Sequence, residues 1–227
     1  MKTAIITGAT GNLGSAVIEK FKTLNYRIVA TTTPKSAGAQ LGAGVDAHPV
    51  DLTNEAATHA FVESVLQKYG GVDVALLLVG GYASGTVAQT DMLSVKKMLS
   101  LNFDTAFHVA QPVFQSMLAR GYGRIVLVGS RPALNPKDAR HSVGYAFAKS
   151  LLLRLAEVLN IEGATHNVLT TVVVPSTIDT PANRKDMPDA DFTKWVSPAT
   201  IADAMAIAVS GEADAWRESV IKVYGRA

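Results

Sequence analysis

Seven short apolar runs recur along the chain, at residues 2–6, 27–31, 45–50, 72–79, 123–128, 166–174 and 219–224, and each reads as a β-strand. Longer stretches with helical spacing lie between them, at 13–24, 54–69, 92–118, 143–163 and 198–210. The third of these is long enough to be two helices or one bent one. Such alternation predicts parallel strands joined by crossover helices. Residues 75–79 and 171–174 are apolar on both strand faces, which suits strands covered by helices on each side. No repeat, low-complexity tract or linker divides the chain, so a single domain is expected.

One segment breaks the rhythm. Residues 175–197 are polar and contain Pro175, Pro181 and Pro188, yet also carry Met187, Phe192 and Trp195. A loop of this length inside a compact domain is usually functional or disordered. Its three large apolar side chains favour a lid that packs on something over a plain cap on the core edge.

Composition narrows the function classes. Of 227 residues, 48 % are hydrophobic and 18 % charged, with a formal net charge of +2, and no dense Lys/Arg run appears. That balance argues against a nucleic-acid partner. The chain has no cysteine, which excludes disulfides, thiolate catalysis and thiolate metal sites, and its five histidines show no ligand spacing, so no metal site is expected. Met1-Lys2-Thr3 leads at once into the first apolar run, which Gly8 ends too early for a signal peptide. No stretch reaches the roughly 18 apolar residues of a membrane span. A cytoplasmic location and no membrane partner are the expectation.

The first chemical signal is Thr7-Gly8-Ala9-Thr10-Gly11-Asn12-Leu13-Gly14, placed between the first strand and the first helix. Gly8 allows a tight turn, Gly11 a close approach of backbone to phosphate, and Gly14 close helix–strand packing. The helix N-terminus then presents its N–H groups and partial positive charge to a pyrophosphate. In this position the pattern predicts a dinucleotide site. An NAD-specific site usually places a carboxylate after the second strand, and none occurs between Arg27 and Asp46. Thr31, Thr32, Thr33 and Lys35 suit a 2′-phosphate better, which favours NADP(H) over NAD(H). The same threonines also fit an ordinary strand end. Asp51-Leu52 ends the third strand, where the carboxylate can accept a bond from an adenine amine or belong to the cap of the next helix.

The second signal is Tyr145-Ala-Phe-Ala-Lys149, whose ends share one helix face. Phenol is a poor acid near neutrality, with a pKa of about 10. A fixed ammonium nearby is expected to lower it, so that the pair can pass a proton to or from a substrate oxygen or nitrogen.

Taken in order, these residues resemble the short-chain dehydrogenase/reductase family. The matching features are the Thr7–Gly14 turn, Asp51, Asn102, Ser130 after Ile125-Val126-Leu127-Val128-Gly129, Tyr145 with Lys149, and Pro175 with Thr180. They run through nearly the whole chain. The resemblance implies a Rossmann-type three-layer α/β domain with a seven-stranded parallel sheet in the order 3-2-1-4-5-6-7. It implies hydride transfer between a nicotinamide and a C=O or C=N carbon of a small-molecule substrate. Tyr145 would be the general acid in reduction, Lys149 would hold the nicotinamide ribose, Ser130 would hydrogen-bond the reacting group, and Asn102 would support a water-linked proton relay. Cofactor contacts are expected from Gly8, Thr10, Gly11, Asn12, Leu13, Gly14, Thr32, Asp51, Leu52, Gly80, Gly81, Tyr145, Lys149, Pro175, Thr177 and Ile178. A homodimer or homotetramer is also implied.

Two departures stand out. Asn12 replaces a glycine common in the family, and Leu78-Val79-Gly80-Gly81-Tyr82 replaces the usual Asn-Asn-Ala-Gly. The Val79–Gly85 loop, and the block from Thr177 through Arg184 and Met187 to Trp195, resemble dihydropteridine reductase. By that likeness Tyr82, Met187 and Trp195 would contact a flat heterocycle. Dihydropteridine reductase lacks the family serine, whereas Ser130 is present here. A generic NADPH carbonyl or quinone reductase, and a dinucleotide-sensing protein without turnover, therefore remain as alternatives.

Overall fold

The computed structural model describes residues 1–216 and 220–226. Seven parallel strands form one sheet: β1 (Thr3–Ile6), β2 (Arg27–Thr32), β3 (Val45–Pro49), β4 (Val74–Leu77), β5 (Gly123–Val128), β6 (Val168–Pro175) and β7 (Val220–Val223). Their order, β3-β2-β1-β4-β5-β6-β7, is the expected one. Ser219, expected at the start of the last strand, lies outside the described residues.

The strand sequences explain the layering. Ile5, Ala75, Leu77, Ile125, Leu127, Val172 and Val174 pack into one core, and Ala4, Ile6, Val74, Leu76, Val126, Val128 and Val173 into a second. Alternate residues of the same strands thus serve opposite faces, and both faces are dry. Helices α2 (Glu55–Tyr69), α4 (Thr105–Arg120) and α7 (Val143–Gly163) cover the first face through Phe61, Val62, Val109, Val113, Leu152 and Leu159. Helices α1 (Asn12–Thr23) and α9 (Pro198–Ala208) cover the second through Val17, Phe21, Ile201 and Met205. At about 25 cal/mol per Å² of apolar surface removed from water, these cores are the main stabilising term.

The 92–118 stretch resolves into α3 (Met92–Leu99) and α4, joined without a break by a π turn, Ser100–Asp104. Three short helices start on proline-bearing turns: α5 (Arg131–Leu134), α6 (Pro136–Ala139) and α8 (Pro181–Asp186). Four to six residues carry too little periodicity to register in sequence, so the hydrophobic pattern did not reveal these helices. The 175–197 segment is therefore not a structureless loop. It holds α8, a 3-10 turn at Phe192–Lys194, and a parallel bridge between Ile178 and Val196. Among the described residues, no helix is long and apolar enough to cross a membrane.

Candidate active site

The strand order reverses between β1 and β4, and the sequence-predicted site residues collect at the carboxyl edge on either side of that point. Thr7 ties the two strand ends together: its buried hydroxyl accepts from the backbone N–H of Leu78 (2.9 Å) and, at 3.4 Å, of Val79. Gly8 then turns with φ +69°, a left-handed conformation that glycine tolerates. A Cβ on Gly14 would overlap the Gly8 carbonyl oxygen and come within 2.9 Å of Ala9 Cα, so only glycine lets α1 start this close to the turn. Gly11 occupies the N-cap with no side-chain cap, which leaves the N–H groups of the first helical turn to face the edge of the sheet.

A cavity of about 430 Å³ opens beside this turn, lined by Gly8, Thr10, Thr32, Asp51 and Leu52 among others. Thr32 Oγ1 is buried there with no hydrogen-bond partner among the described residues. Lys35 lies exposed at its mouth. Asp51 accepts from the N–H (3.0 Å) and hydroxyl (2.7 Å) of Thr53, which holds its carboxyl below the usual range. The N-cap of α2 is Asn54, whose side chain accepts from Ala57 N–H at 3.0 Å, so Asp51 is not the cap.

A second cavity, of about 480 Å³, lies at the ends of β5 and β6. Tyr82, Ser130, Tyr145, Pro175, Ile178 and Met187 line it, and Thr177 does too. Ser130 Oγ is buried and completes no hydrogen bond, although it lies close enough to Tyr145 to oppose the rise in that phenol's pKa. The ring of Tyr82 stands edge-on to that of Tyr145, with centroids 5.2 Å apart, and Tyr82 remains 66 % exposed.

Lys149 lies one helical turn behind Tyr145 and is almost fully buried. Its Nζ donates to the Val128 carbonyl at 2.8 Å and sits 5.9 Å from the Tyr145 ring centroid. Burial alone pushes its pKa down to about 8. The Tyr145 phenol moves the other way. Desolvation raises it above 10, and the nearby Ser130 hydroxyl offsets only part of that rise. The expectation that the ammonium would depress the phenol is not met in the free protein. The charge is turned toward a backbone carbonyl, and burial of the phenol prevails.

Asn102 sits in the π turn and is fully buried. Its side chain clamps the backbone of Gly81, accepting from the N–H at 3.1 Å and donating to the carbonyl at 3.0 Å, and it donates also to Met98 O at 3.0 Å. A Cβ on Gly80 would come within 2.6 Å of Asn102 Oδ1 and 3.0 Å of Lys149 Nζ, so glycine lets the loop lie against both. Beyond Tyr82, Gly85 is stapled to the start of α7 by bonds from its N–H to His141 O (2.7 Å) and from Val143 N–H to its carbonyl (3.0 Å). π turns recur at functional sites, and this one aims a polar side chain at the loop beside the Tyr–Lys pair.

Trp195 is not among the residues lining the second cavity; its ring packs on Phe192 with centroids 4.7 Å apart. Sequence reasoning missed the strand-tying role of Thr7, and it missed Arg131, Asp138, Ser176 and Asn183, all of which line the second cavity. Arg131 had a signal, since it directly follows Ser130. A larger and more open cleft, of about 690 Å³, lies beside Lys2, Tyr26 and Ile207. It holds neither the glycine turn nor the Tyr–Lys pair, so size does not identify the site.

Comparison with known proteins agrees with this geometry. Residues 2–191 match the family model described as short chain dehydrogenase. An acetoacetyl-CoA reductase from Acinetobacter sp. (strain RA3849) is 30 % identical, over 92 % of this chain and 90 % of that one. A dihydropteridine reductase from Dictyostelium discoideum is 26 % identical, over 90 % and 86 %. A crystal structure of a short-chain dehydrogenase/reductase from Burkholderia xenovorans superposes with a TM-score of 0.88 at 27 % identity, covering 99 % of this chain and 95 % of that one. A glycine turn at the β1–α1 junction, a Tyr–Lys pair on α7 and a family match over residues 2–191 have one common account: the chain belongs to the short-chain dehydrogenase family and is an NAD(P)-dependent oxidoreductase.

Proposed function

We propose that this protein reduces a C=O or C=N carbon of a small molecule with Tyr145 as proton donor. The observation that carries the reading is the meeting of Ser130 and Tyr145 on one cavity wall, with Lys149 buried behind them. A bound nicotinamide dinucleotide supplies the hydride. The residues present fit such a group, since Gly8 turns with a positive φ, Gly14 has no room for a side chain, and Thr32 Oγ1 is an orphaned polar atom in the adjoining cavity. Gly8, Thr10, Gly11, Asn12, Leu13 and Gly14 would hold its pyrophosphate, and Asp51 and Leu52 its adenine. Gly80, Gly81, Pro175, Thr177 and Ile178 would surround the nicotinamide end. Thr32 with Lys35, and no nearby carboxylate, support NADP(H) over NAD(H).

In this reading the Tyr145 phenol is protonated at neutral pH, as a donor in reduction must be, and burial holds the proton on to higher pH. Ser130 donates to the substrate oxygen or nitrogen, and Lys149 holds the nicotinamide ribose and places positive charge behind the phenol. Asn102 acts as a positioning residue through Gly80 and Gly81. Residues 175–197 form a lid, supported by Ile178 and Met187 on the cavity wall.

The exposed ring of Tyr82 beside Tyr145 supports a flat, conjugated substrate such as a quinonoid dihydropteridine. The unpartnered hydroxyl of Ser130 favours a second reading, an ordinary carbonyl or quinone substrate. Phe147, Leu151, Val158 and Ile161 form an exposed apolar row along α7, which supports a homodimer or homotetramer. A cytoplasmic home completes the proposal.

NADPH and NADH oxidation with quinonoid dihydropterin, ketones and quinones tests the reading, in the parent and in Tyr145→Phe. Loss of about two to four orders of magnitude in kcat is expected from removing the proton donor. An unchanged rate would overturn the assignment, and no turnover of any substrate would favour the sensor alternative.

A further inference from the structure

We infer that the substrate carries a carboxylate and that Arg131 binds it. The inference rests on the reductase reading of the same cavity and adds the class of substrate. Arg131 directly follows Ser130 and lines the cavity with it. Its guanidinium donates no hydrogen bond within the protein among the described residues. Its one ion pair, from Nε to Asp138 Oδ2, is long at 3.5 Å. Both Nη groups therefore remain available, and they are the two parallel donors that grip a carboxylate.

Two contacts flank the guanidinium. Asp138 engages it from the Nε side, and Asp138 is itself anchored by Asn135 Nδ2 at 3.2 Å. On another side the guanidinium carbon lies 5.3 Å from the Tyr224 ring centroid. Tyr224 is tied to the cavity in turn, since its carbonyl accepts from the Ser176 hydroxyl at 2.9 Å. An arginine flanked on two sides with its end-on donors unspent presents them to a planar anion. Arg184 on α8 shows the contrast. It is engaged by a two-point bond to Asp179, at 2.6 and 2.8 Å, and lines no part of the cavity.

Arg131 is the single cation among the residues lining this cavity, and Asp138 the single anion. Asp138 sits on Nε, so a ligand carboxylate meets the guanidinium from the edge the aspartate leaves open. The acid then binds in the cavity that also holds Ser130 and Tyr145, so the substrate class inferred is an oxo acid.

The test is calorimetric titration of the protein, saturated with NADP⁺ so that no reduction occurs, with pyruvate, acetoacetate and levulinate and with the neutral amide of each. At least one acid should bind about tenfold or more tightly than its amide. In Arg131→Gln that acid-to-amide ratio should fall toward one, and in Arg131→Lys it should be intermediate, because the charge survives without the fork. A melting curve checks that each variant is folded, and the lysine variant carries the test if the glutamine variant is not. Equal binding of acids and amides, binding of neither, or a ratio unchanged in the folded variant would each overturn the inference. Binding is read without turnover, so failure of the reductase reading shows separately: acids that bind through Arg131 yet are never reduced by NADPH or NADH.

Discussion

Lys149→Met should make this protein more stable at pH 7 while removing the lysine that the proposed reaction uses. Burial lowers the lysine from 10.5 to about 8. In the unfolded chain it returns to 10.5, so between pH 8 and 10.5 the unfolded state binds more protons than the folded one, and stability rises with pH. Below pH 8 both states are protonated and the folded protein bears the whole desolvation penalty. At about 1.4 kcal/mol per pKa unit, lowering from 10.5 to about 8 amounts to about 3–3.5 kcal/mol. The methionine removes that penalty but deprives the Val128 carbonyl of its donor at 2.8 Å, which costs about 1 kcal/mol. The variant should therefore exceed the parent by about 2 kcal/mol at pH 7. The gap should close to within about 0.5 kcal/mol near pH 9.5, where most of the penalty has gone. Urea unfolding of both proteins across this pH range measures it. A variant no more stable than the parent at pH 7, or a gap that ignores pH, would refute the argument that desolvation dominates at Lys149.

Three other outcomes follow from the same geometry. Gly14→Ala drives a methyl into the Gly8 carbonyl and should cost about 1–3 kcal/mol or more, with weaker NADPH binding by fluorescence titration. Asn102→Ala leaves the Gly81 N–H and carbonyl and the Met98 carbonyl without their partner, so melting should show a loss of about 2–3 kcal/mol, and kcat should fall as the loop before Tyr82 loosens. Lys35→Glu puts a carboxylate at the mouth of the first cavity and should shift the ratio of NADPH to NADH affinity toward NADH by about tenfold, about the effect of one charge-assisted hydrogen bond; an unchanged ratio would remove Lys35 from cofactor choice.

Much of this molecule was legible in one dimension. Alternating strand and helix periods, strands apolar on both faces and a glycine turn after the first strand are local patterns, set by side-chain direction and backbone sterics. They carried the parallel sheet and the dinucleotide turn, while the strand order came from the family resemblance. Gly8 and Gly14 could be assigned their parts because their demands, a positive φ and a missing Cβ, are backbone properties. Boundaries were off by a residue or two where caps decide them, as at Asn54, and the proline-initiated α5, α6 and α8 were too short to show a period.

What tertiary structure alone decided concerns direction and environment. Tyr145 and Lys149 are four residues apart in any helix, but only packing shows the ammonium turned to Val128, its pKa drawn down and the phenol's raised. Asn102 reads as a helix residue until the π turn aims its amide at Gly81. Trp195 and Met187 are equally apolar in sequence, yet one packs on Phe192 and the other lines the cavity. Spacing along the chain determines which face a residue shares. Its charge state and its partners depend on what the rest of the fold brings within a few ångströms and on how much water that leaves.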